Sequence, residues 1–331
     1  MITAIAPSRI CDVGGWTDTW FARHGRVLNI AVLPGVEVRL TIRRDAGGNH
    51  ITFIPASTPL LDAAVQSAAI PADIALEIAV SSEMPPGAAT GTSASVTVAL
   101  LGALWFLKSG SNRIGAVELT DSTRYAIARA AHRVETDLLR QQSGVQDQLA
   151  SAFGGISVID VHEYPEARVT PLAIDGGLAA ELERRLLLVF LGESHRSSEV
   201  HDRVIRALSE MGPDCRQLDD LRHAADAAHD ALRVGDLEAF GRALVANSDA
   251  QARLHPDIVS DEAQAVIAIA RRCGAAGWKV NGAGGRGGSV SILAGARARR
   301  QRLLQALASD AAPWRVIPTR ICTSGLRIHA E

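Results

Sequence analysis

The chain has 331 residues, enough for two domains or one large one. Apolar residues make up 47% of it and charged residues 21%, so it can bury a substantial core. A formal net charge of −2 leaves no basic excess for nucleic acid or for an anionic membrane surface. Cys11, Cys215, Cys273 and Cys322 stand far apart with no CxxC pair, which argues against a zinc site or a disulfide framework. With no apolar leader and no apolar run of about 20 residues, the composition points to a cytoplasmic enzyme.

In chain order, β-rich runs at 27–32, 36–42 and 51–54, broken by Pro-Gly and Gly-Gly-Asn, read as a meander. Residues 74–80 alternate as a further strand. A loop of small residues at 85–95 leads into a helix over 92–108. A second helix covers 123–139, after Thr120-Asp121-Ser122. Residues 143–153 read as a loop and a short helix ended by Gly154-Gly155, and 156–161 as a strand. The stretch 165–177 reads as a boundary. Beyond it come a strand at 186–191, helices over 197–211, 217–234, 236–251 and 260–274, and a strand–glycine loop–strand unit at 278–293. A helix at 295–309 and a strand at 314–320 complete an α+β pattern.

The stretch Pro85-Pro86-Gly87-Ala88-Ala89-Thr90-Gly91-Thr92-Ser93-Ala94-Ser95 is the strongest local signal. Small residues let the backbone approach a ligand closely. A helix starting there offers free N–H groups and a positive dipole end, hence an anion site suited to a nucleotide phosphate. No Walker lysine is present. The plain alternative is a helix N-terminus with an ordinary Ser or Thr cap. Ser93 can also ligate Mg²⁺, which prefers hard oxygen donors.

Three other groupings carry chemistry. Arg9 and Asp18 flank a Gly-Gly turn; the carboxylate can accept from sugar hydroxyls and the guanidinium can stabilise developing charge, unless the two form a local surface pair. Glu135 and Asp147 supply the carboxylates that phosphoryl transfer needs, with Asp137 a competing acid and a helix cap the alternative for Asp147. Lys279-Val-Asn-Gly282-Ala-Gly284-Gly285-Arg286-Gly-Gly288 is almost bare of side chains, as close packing against a ligand requires or a flexible hairpin allows. A strand, not a helix, follows its G-x-G-x-x-G spacing, which argues against a Rossmann loop.

Taken in this order, the four resemble the GHMP kinase superfamily, named for galactokinase, homoserine kinase, mevalonate kinase and phosphomevalonate kinase. The resemblance covers nearly the whole chain. Gly14-Gly15-Trp16-Thr17-Asp18-Thr19 is similar to fucokinases. Gly144-Val-Gln-Asp147-Gln and Phe153-Gly-Gly are similar to fucokinases and to D-glycero-D-manno-heptose 7-phosphate kinases. Residues 192–198, Gly-Glu-Ser-His-Arg-Ser-Ser, look like that branch too.

The resemblance implies a two-domain α+β fold: a ribosomal protein S5 domain 2-like unit over 1–170 and a ferredoxin-like unit over 171–331. It implies an ATP- and Mg²⁺-dependent kinase acting on the anomeric hydroxyl of a sugar or sugar phosphate. Asp147 would be the base or orient the hydroxyl, and Arg9 would stabilise the reacting oxygen. Ser93 and Glu135 would hold Mg²⁺, and residues 86–95 would cradle the phosphates. Gly15, Trp16, Thr17, Asp18, Gly144, Gly284 and Gly285 would line the sugar site. Arg23, Arg26 or Arg196 could meet a substrate phosphate. The chain departs from the family pattern at Ala89-Thr90, where Gly-Leu precedes the glycine, at Arg286, and at Trp20-Phe21. A monomer or homodimer is expected. The rival readings are a GHMP kinase of a non-sugar alcohol and a catalytically silent sugar-binding relative.

Overall fold

The computed structural model of the chain describes residues 1–43, 50–71, 74–111, 113–192, 198–308 and 313–331. It opens on β1 (Ile2–Val13), a strand the sequence reading lacks because Pro7, Arg9 and Asp12 break its alternation. The strand is covered on both faces over residues 6–13, so apolar periodicity is not what defines it. β2 (Gly25–Arg43) is one strand where two were expected. It runs through Pro34-Gly35 because Gly35 lacks a side chain: a Cβ there would stand 2.2 Å from the Ala6 carbonyl oxygen.

The expected meander is a crossover instead. β3 (Ile51–Ile54) leads to α1 (Pro59–Ala68), capped by the Thr58 hydroxyl, and then to β4 (Ala75–Ser82), which pairs with β3 in parallel. α2 (Thr92–Lys108) lies across β1 and β2 and is buried along most of its length. β5 (Gly115–Val117) and α3 (Asp121–Arg133) follow, and α3 continues into a π-helical turn, Val134–Leu138. α4 (Gln146–Phe153) enters β6 (Ile156–Glu163). The expected boundary at 165–177 contains β7 (Glu166–Pro171), hairpinned with β6, and the start of α5 (Gly176–Arg185).

The second half builds a four-stranded sheet among the described residues. β8 (Leu186–Phe190) is followed by α6 (Ser198–Met211), α7 (Arg216–Val234), α8 (Leu237–Leu254) and α9 (Asp261–Arg272). β9 (Gly277–Val280), β10 (Ser289–Leu293), α10 (Arg297–Leu307) and β11 (Arg315–Ile317) complete it. The order β11-β8-β10-β9, with every pair antiparallel, is the split βαβ arrangement of ferredoxin-like folds. β12 (Arg320–Ile321) and β13 (Arg327–Ala330) lie past the expected 170/171 division but pair with β2 and β1 of the first sheet, nine-stranded among the described residues.

One core lies between the first sheet and α1–α4, another between that sheet, α7, α8 and β8, and a third under α9 and α10. Between the two halves the backbone of β1 and of the turn after it is bonded to side chains of the second half. Asn247 Oδ1 accepts from the Gly14 N–H at 2.7 Å, and Asn281 Oδ1 accepts from the Cys11 N–H at 3.1 Å. Among the described residues no helix is long and apolar enough to cross a membrane.

Candidate active site

Two cavities meet where the halves join. The larger, about 420 Å³, is lined by Gly87 through Ala94, by Glu135 and Gln141, and by Gly282 through Gly284 with Arg286 and Gly288. The smaller, about 160 Å³, is lined by Asp12, Trp16, Asp18, Thr19 and Gln146 and by Gln142 through Gly144. Arg9, Asp147, His201, Gly282 and Ala283 face both.

The loop over the larger cavity is shaped by backbone conformation. Gly87, Ala89 and Gly91 have φ of +76°, +55° and +68°. Gly91 is the N-cap of α2 and makes no side-chain cap bond, so the N–H groups of the first turn are left for the cavity, as an anion site requires. Ala89 keeps its Cβ in the left-handed region and turns it to the other glycine loop, where a Cβ on Gly282 would stand 3.1 Å from it. Thr92 and Ser93 stand at the helix start. Pro86 and Ser95 do not line the cavity, and the Ser95 hydroxyl donates to the Pro7 carbonyl at 2.7 Å.

Arg9 projects from β1 beneath this loop. Its guanidinium grips Asp147 with two bonds, Nε to Oδ1 at 2.8 Å and Nη2 to Oδ2 at 3.1 Å, and donates to the Ala89 carbonyl at 2.6 Å. Burial opposes the charge on Arg9, but Asp147 and Asp12 outweigh it and hold the guanidinium above its usual range. Asp147 sits in the first turn of α4, and a Cβ on Gly91 would come within 3.3 Å of its carboxyl.

Glu135 is carried into the larger cavity by the π-helical turn, a distortion often found at functional positions. Its Oε2 accepts from Ser143 Oγ at 2.6 Å and Gln148 Nε2 at 2.9 Å, while Oε1 has no protein partner among the described residues. Burial raises its pKa to about 7, against the hydrogen bond from Ser143 and with the charge of Asp147 adding to the rise. The competing acid, Asp137, lines neither cavity. A Ser93 hydroxyl and a Glu135 carboxylate are both hard oxygen donors, the chemistry Mg²⁺ takes from proteins when phosphate supplies its other ligands. Among the described residues no group of three or more His, Cys, Asp or Glu is placed to hold a metal alone.

In the smaller cavity Asp18 is buried and accepts from the Gln146 N–H at 3.0 Å. Burial raises its pKa to about 6, the Gln146 bond opposing and the charge of Asp147 assisting. A Cβ on Gly144 would fall 2.0 Å from the Asp18 carboxylate, so any side chain there would displace that carboxylate. Trp16 forms one wall. Thr17 instead folds its hydroxyl back to the Gly14 carbonyl at 2.7 Å, and Gly15 shapes the same turn with its N–H on the Asp12 carbonyl at 3.1 Å; neither reaches the cavity. Gly284 lines the larger cavity, and Gly285 lines neither, its N–H bonded to the Ile258 carbonyl at 2.9 Å.

Asp12 and His201 belong to this region without having been singled out in the sequence, and Lys279 opens the glycine-rich grouping without a role of its own there. Asp12 accepts from the Gly282 N–H at 3.0 Å and stands 3.4 Å from Lys279 Nζ. Burial lowers the Lys279 pKa, partly offset by Asp12. The alternation-breaking acid in β1 was the signal for Asp12. His201 had none, since it reaches the site from the first turn of an amphipathic helix. Arg23 pairs with Glu163, Arg26 pairs with Asp160 and Asp226, and neither lines a cavity. His195 and Arg196 lie outside the described residues.

Two family models match the chain: "GHMP kinases N terminal domain" over residues 60–155 and "GHMP kinases C terminal" over 228–312, together more than half of it. The chain is 26% identical over 207 residues to a D-glycero-alpha-D-manno-heptose 7-phosphate kinase of Campylobacter jejuni, covering 62% of this chain and 58% of that protein. It is 29% identical over 343 residues to the bifunctional fucokinase/GDP-fucose pyrophosphorylase of Arabidopsis thaliana, covering 92% and 31%. It is 30% identical over 218 residues to a mevalonate kinase of Methanothermobacter thermautotrophicus, covering 65% and 63%. The chain thus spans less than two thirds of the length of each of these relatives. The fold matches the crystal structure of a D-glycero-D-manno-heptose 1-phosphate kinase from Bacteroides thetaiotaomicron with a TM-score of 0.73 at 20% identity, over 100% of this chain and 99% of that one.

Proposed function

The chain belongs to the GHMP kinase superfamily, and from that premise we propose that it is an ATP-dependent sugar kinase. It phosphorylates the anomeric hydroxyl of a sugar or sugar phosphate, with a heptose 7-phosphate or a fucose-like hexose as the leading acceptors. The observation that carries this reading is the Arg9–Asp147 pair on the wall shared by the two cavities. On one side lies an uncapped helix start suited to phosphates; on the other lies a buried carboxylate suited to hydroxyls.

In this reading the backbone of residues 87–94 cradles the ATP phosphates. Asp18 accepts hydrogen bonds from sugar hydroxyls, with Trp16 and Gly144 beside it. Asp147 orients the attacking hydroxyl and receives its proton as the new bond to the γ-phosphorus forms and the bond from that phosphorus to the β–γ bridging oxygen breaks, releasing ADP. Arg9 holds Asp147 in place and stabilises charge on the reacting oxygens. Ser93 and Glu135 would hold Mg²⁺, which neutralises phosphate charge when bound. Such catalysis rests on positioning and electrostatics, with no covalent intermediate on the protein. We place the protein in the cytoplasm, as a monomer or homodimer. Its two units divide near 170/171, with the last strands lent back to the first.

The test is ADP release with ATP and Mg²⁺ over a panel of hexoses, heptose phosphates and non-sugar alcohols, with and without EDTA. Turnover confined to a sugar or sugar phosphate supports the reading. Turnover confined to a non-sugar alcohol such as mevalonate sinks it in favour of another GHMP class. Tight sugar binding with no turnover identifies a silent relative, which the presence of Arg9, Ser93, Glu135 and Asp147 argues against.

A further inference from the structure

A group passing from the larger cavity to the smaller must pass Arg9, Asp147, His201, Gly282 and Ala283. Most of these are committed within the protein. Arg9 and Asp147 hold each other by two bonds, and the Gly282 N–H is donated to Asp12. Ala283 has no polar side-chain atom. His201 differs. Its ring packs against Trp16, with centroids 5.1 Å apart and planes tilted by 36°. That contact steadies the imidazole without consuming a nitrogen. Neither ring nitrogen has a hydrogen-bonding partner in the protein among the described residues.

We propose that His201 is a further catalytic residue of the phosphoryl transfer, donating a hydrogen bond to a non-reacting oxygen of the phosphoryl group as it crosses between the cavities. This rests on the kinase reading above. Burial lowers the His201 pKa, against the charge of Asp202, which favours the neutral ring in the free protein; a neutral imidazole still carries one N–H to donate. Because the contact forms with a group in transit, its energy is spent at the transition state and not on holding either substrate.

The test compares steady-state kinetics of His201→Ala, His201→Asn and wild type, with folding checked by thermal melting. The expected result is a kcat about tenfold to a hundredfold lower in H201A, with KM for sugar and for ATP within about threefold of wild type. The asparagine variant, which retains a side-chain N–H, recovers part of the loss; should H201A fail to fold, H201N against His201→Leu gives the same comparison. A kcat within about twofold of wild type in these variants overturns the inference, as does a loss seen only in KM for the sugar, which would make His201 a wall of the sugar site. If wild type itself turns over no acceptor, the kinase reading falls first and takes this one with it. If wild type turns over normally and the variants do too, this inference falls alone.

Discussion

The two cavities are made from different parts of the polypeptide. The larger is walled mainly by backbone and small residues: the 87–94 loop, a helix start, and Gly282, Ala283, Gly284 and Gly288. The smaller is walled by side chains, with Asp12, Trp16, Asp18 and Gln146 around one space of about 160 Å³. Backbone N–H groups are the same in every residue but proline, so a backbone wall selects for shape and negative charge, which suits a phosphate common to many reactions. A side-chain wall can be changed one residue at a time, and selectivity for an acceptor resides there.

The sharpest break is at the shared wall. Asp147→Asn should lower kcat by about a thousandfold while leaving ATP binding nearly intact, measured by single-turnover assay and ATP titration. A kcat near that of wild type would remove Asp147 from the chemistry.

Next, Asp18→Asn should lower kcat/KM for the sugar by about a hundredfold with little change in KM for ATP, the loss expected for a charged acceptor of hydroxyl groups. The same residue gives a pH signature. Its pKa is about 6 in the folded protein, against an ordinary value of 3.8. The folded state therefore holds the proton more tightly between those values. The associated stability is full below pH 3.8 and is lost as pH rises through about 6, an effect on the order of 3 kcal/mol. Wild-type kcat/KM for the sugar should rise across that limb, while Asp18→Asn should be flat there and no less stable than wild type at pH 8. A limb that persists in the variant would assign the titration elsewhere.

On the backbone side the expected effects are smaller. Gly91→Ala places a Cβ 3.3 Å from the Asp147 carboxyl at a φ of +68°, and should lower kcat/KM for ATP by about tenfold, sparing sugar binding. Equal losses toward both substrates would erase the division between the cavities. The smallest effect is expected at Ala89, whose φ of +55° costs an L-residue strain. Ala89→Gly should raise stability by at most about 1 kcal/mol in a thermal melt and move KM for ATP by less than about threefold.

The contrast between the walls also explains what the sequence could reveal. The glycine loops were legible because a backbone wall leaves its mark in composition: runs of residues without side chains. Arg9, Asp18, Glu135 and Asp147 were legible as charged residues in distinctive contexts, and all four line the cavities. His201 was not, because it reaches the site from inside a regular element, where nothing local separates it from its neighbours; Asp12 carried only the mark of an acid that breaks the alternation of β1. β1 was missed for a related reason. A strand buried on both faces, carrying an arginine and an aspartate for the site, shows neither alternation nor a plain apolar run. Residues 320–330 were missed as partners of the first sheet because pairing over some 300 residues has no local signature.

That last pairing bears on how the chain must acquire its structure. β13 lies between β1 and β5, and Leu326 fills the notch left by Gly102 on α2, where a Cβ would stand 2.6 Å from its side chain. A polypeptide ending at residue 170 would leave the hydrogen-bonding edge of β1 bare and that notch open, a surface prone to pairing with other chains. Sequence separation on this scale makes loop closure slow. The two lobes are thus bound into a single folding event: the first cannot mature ahead of the second, because its closing strand follows the second lobe in the chain.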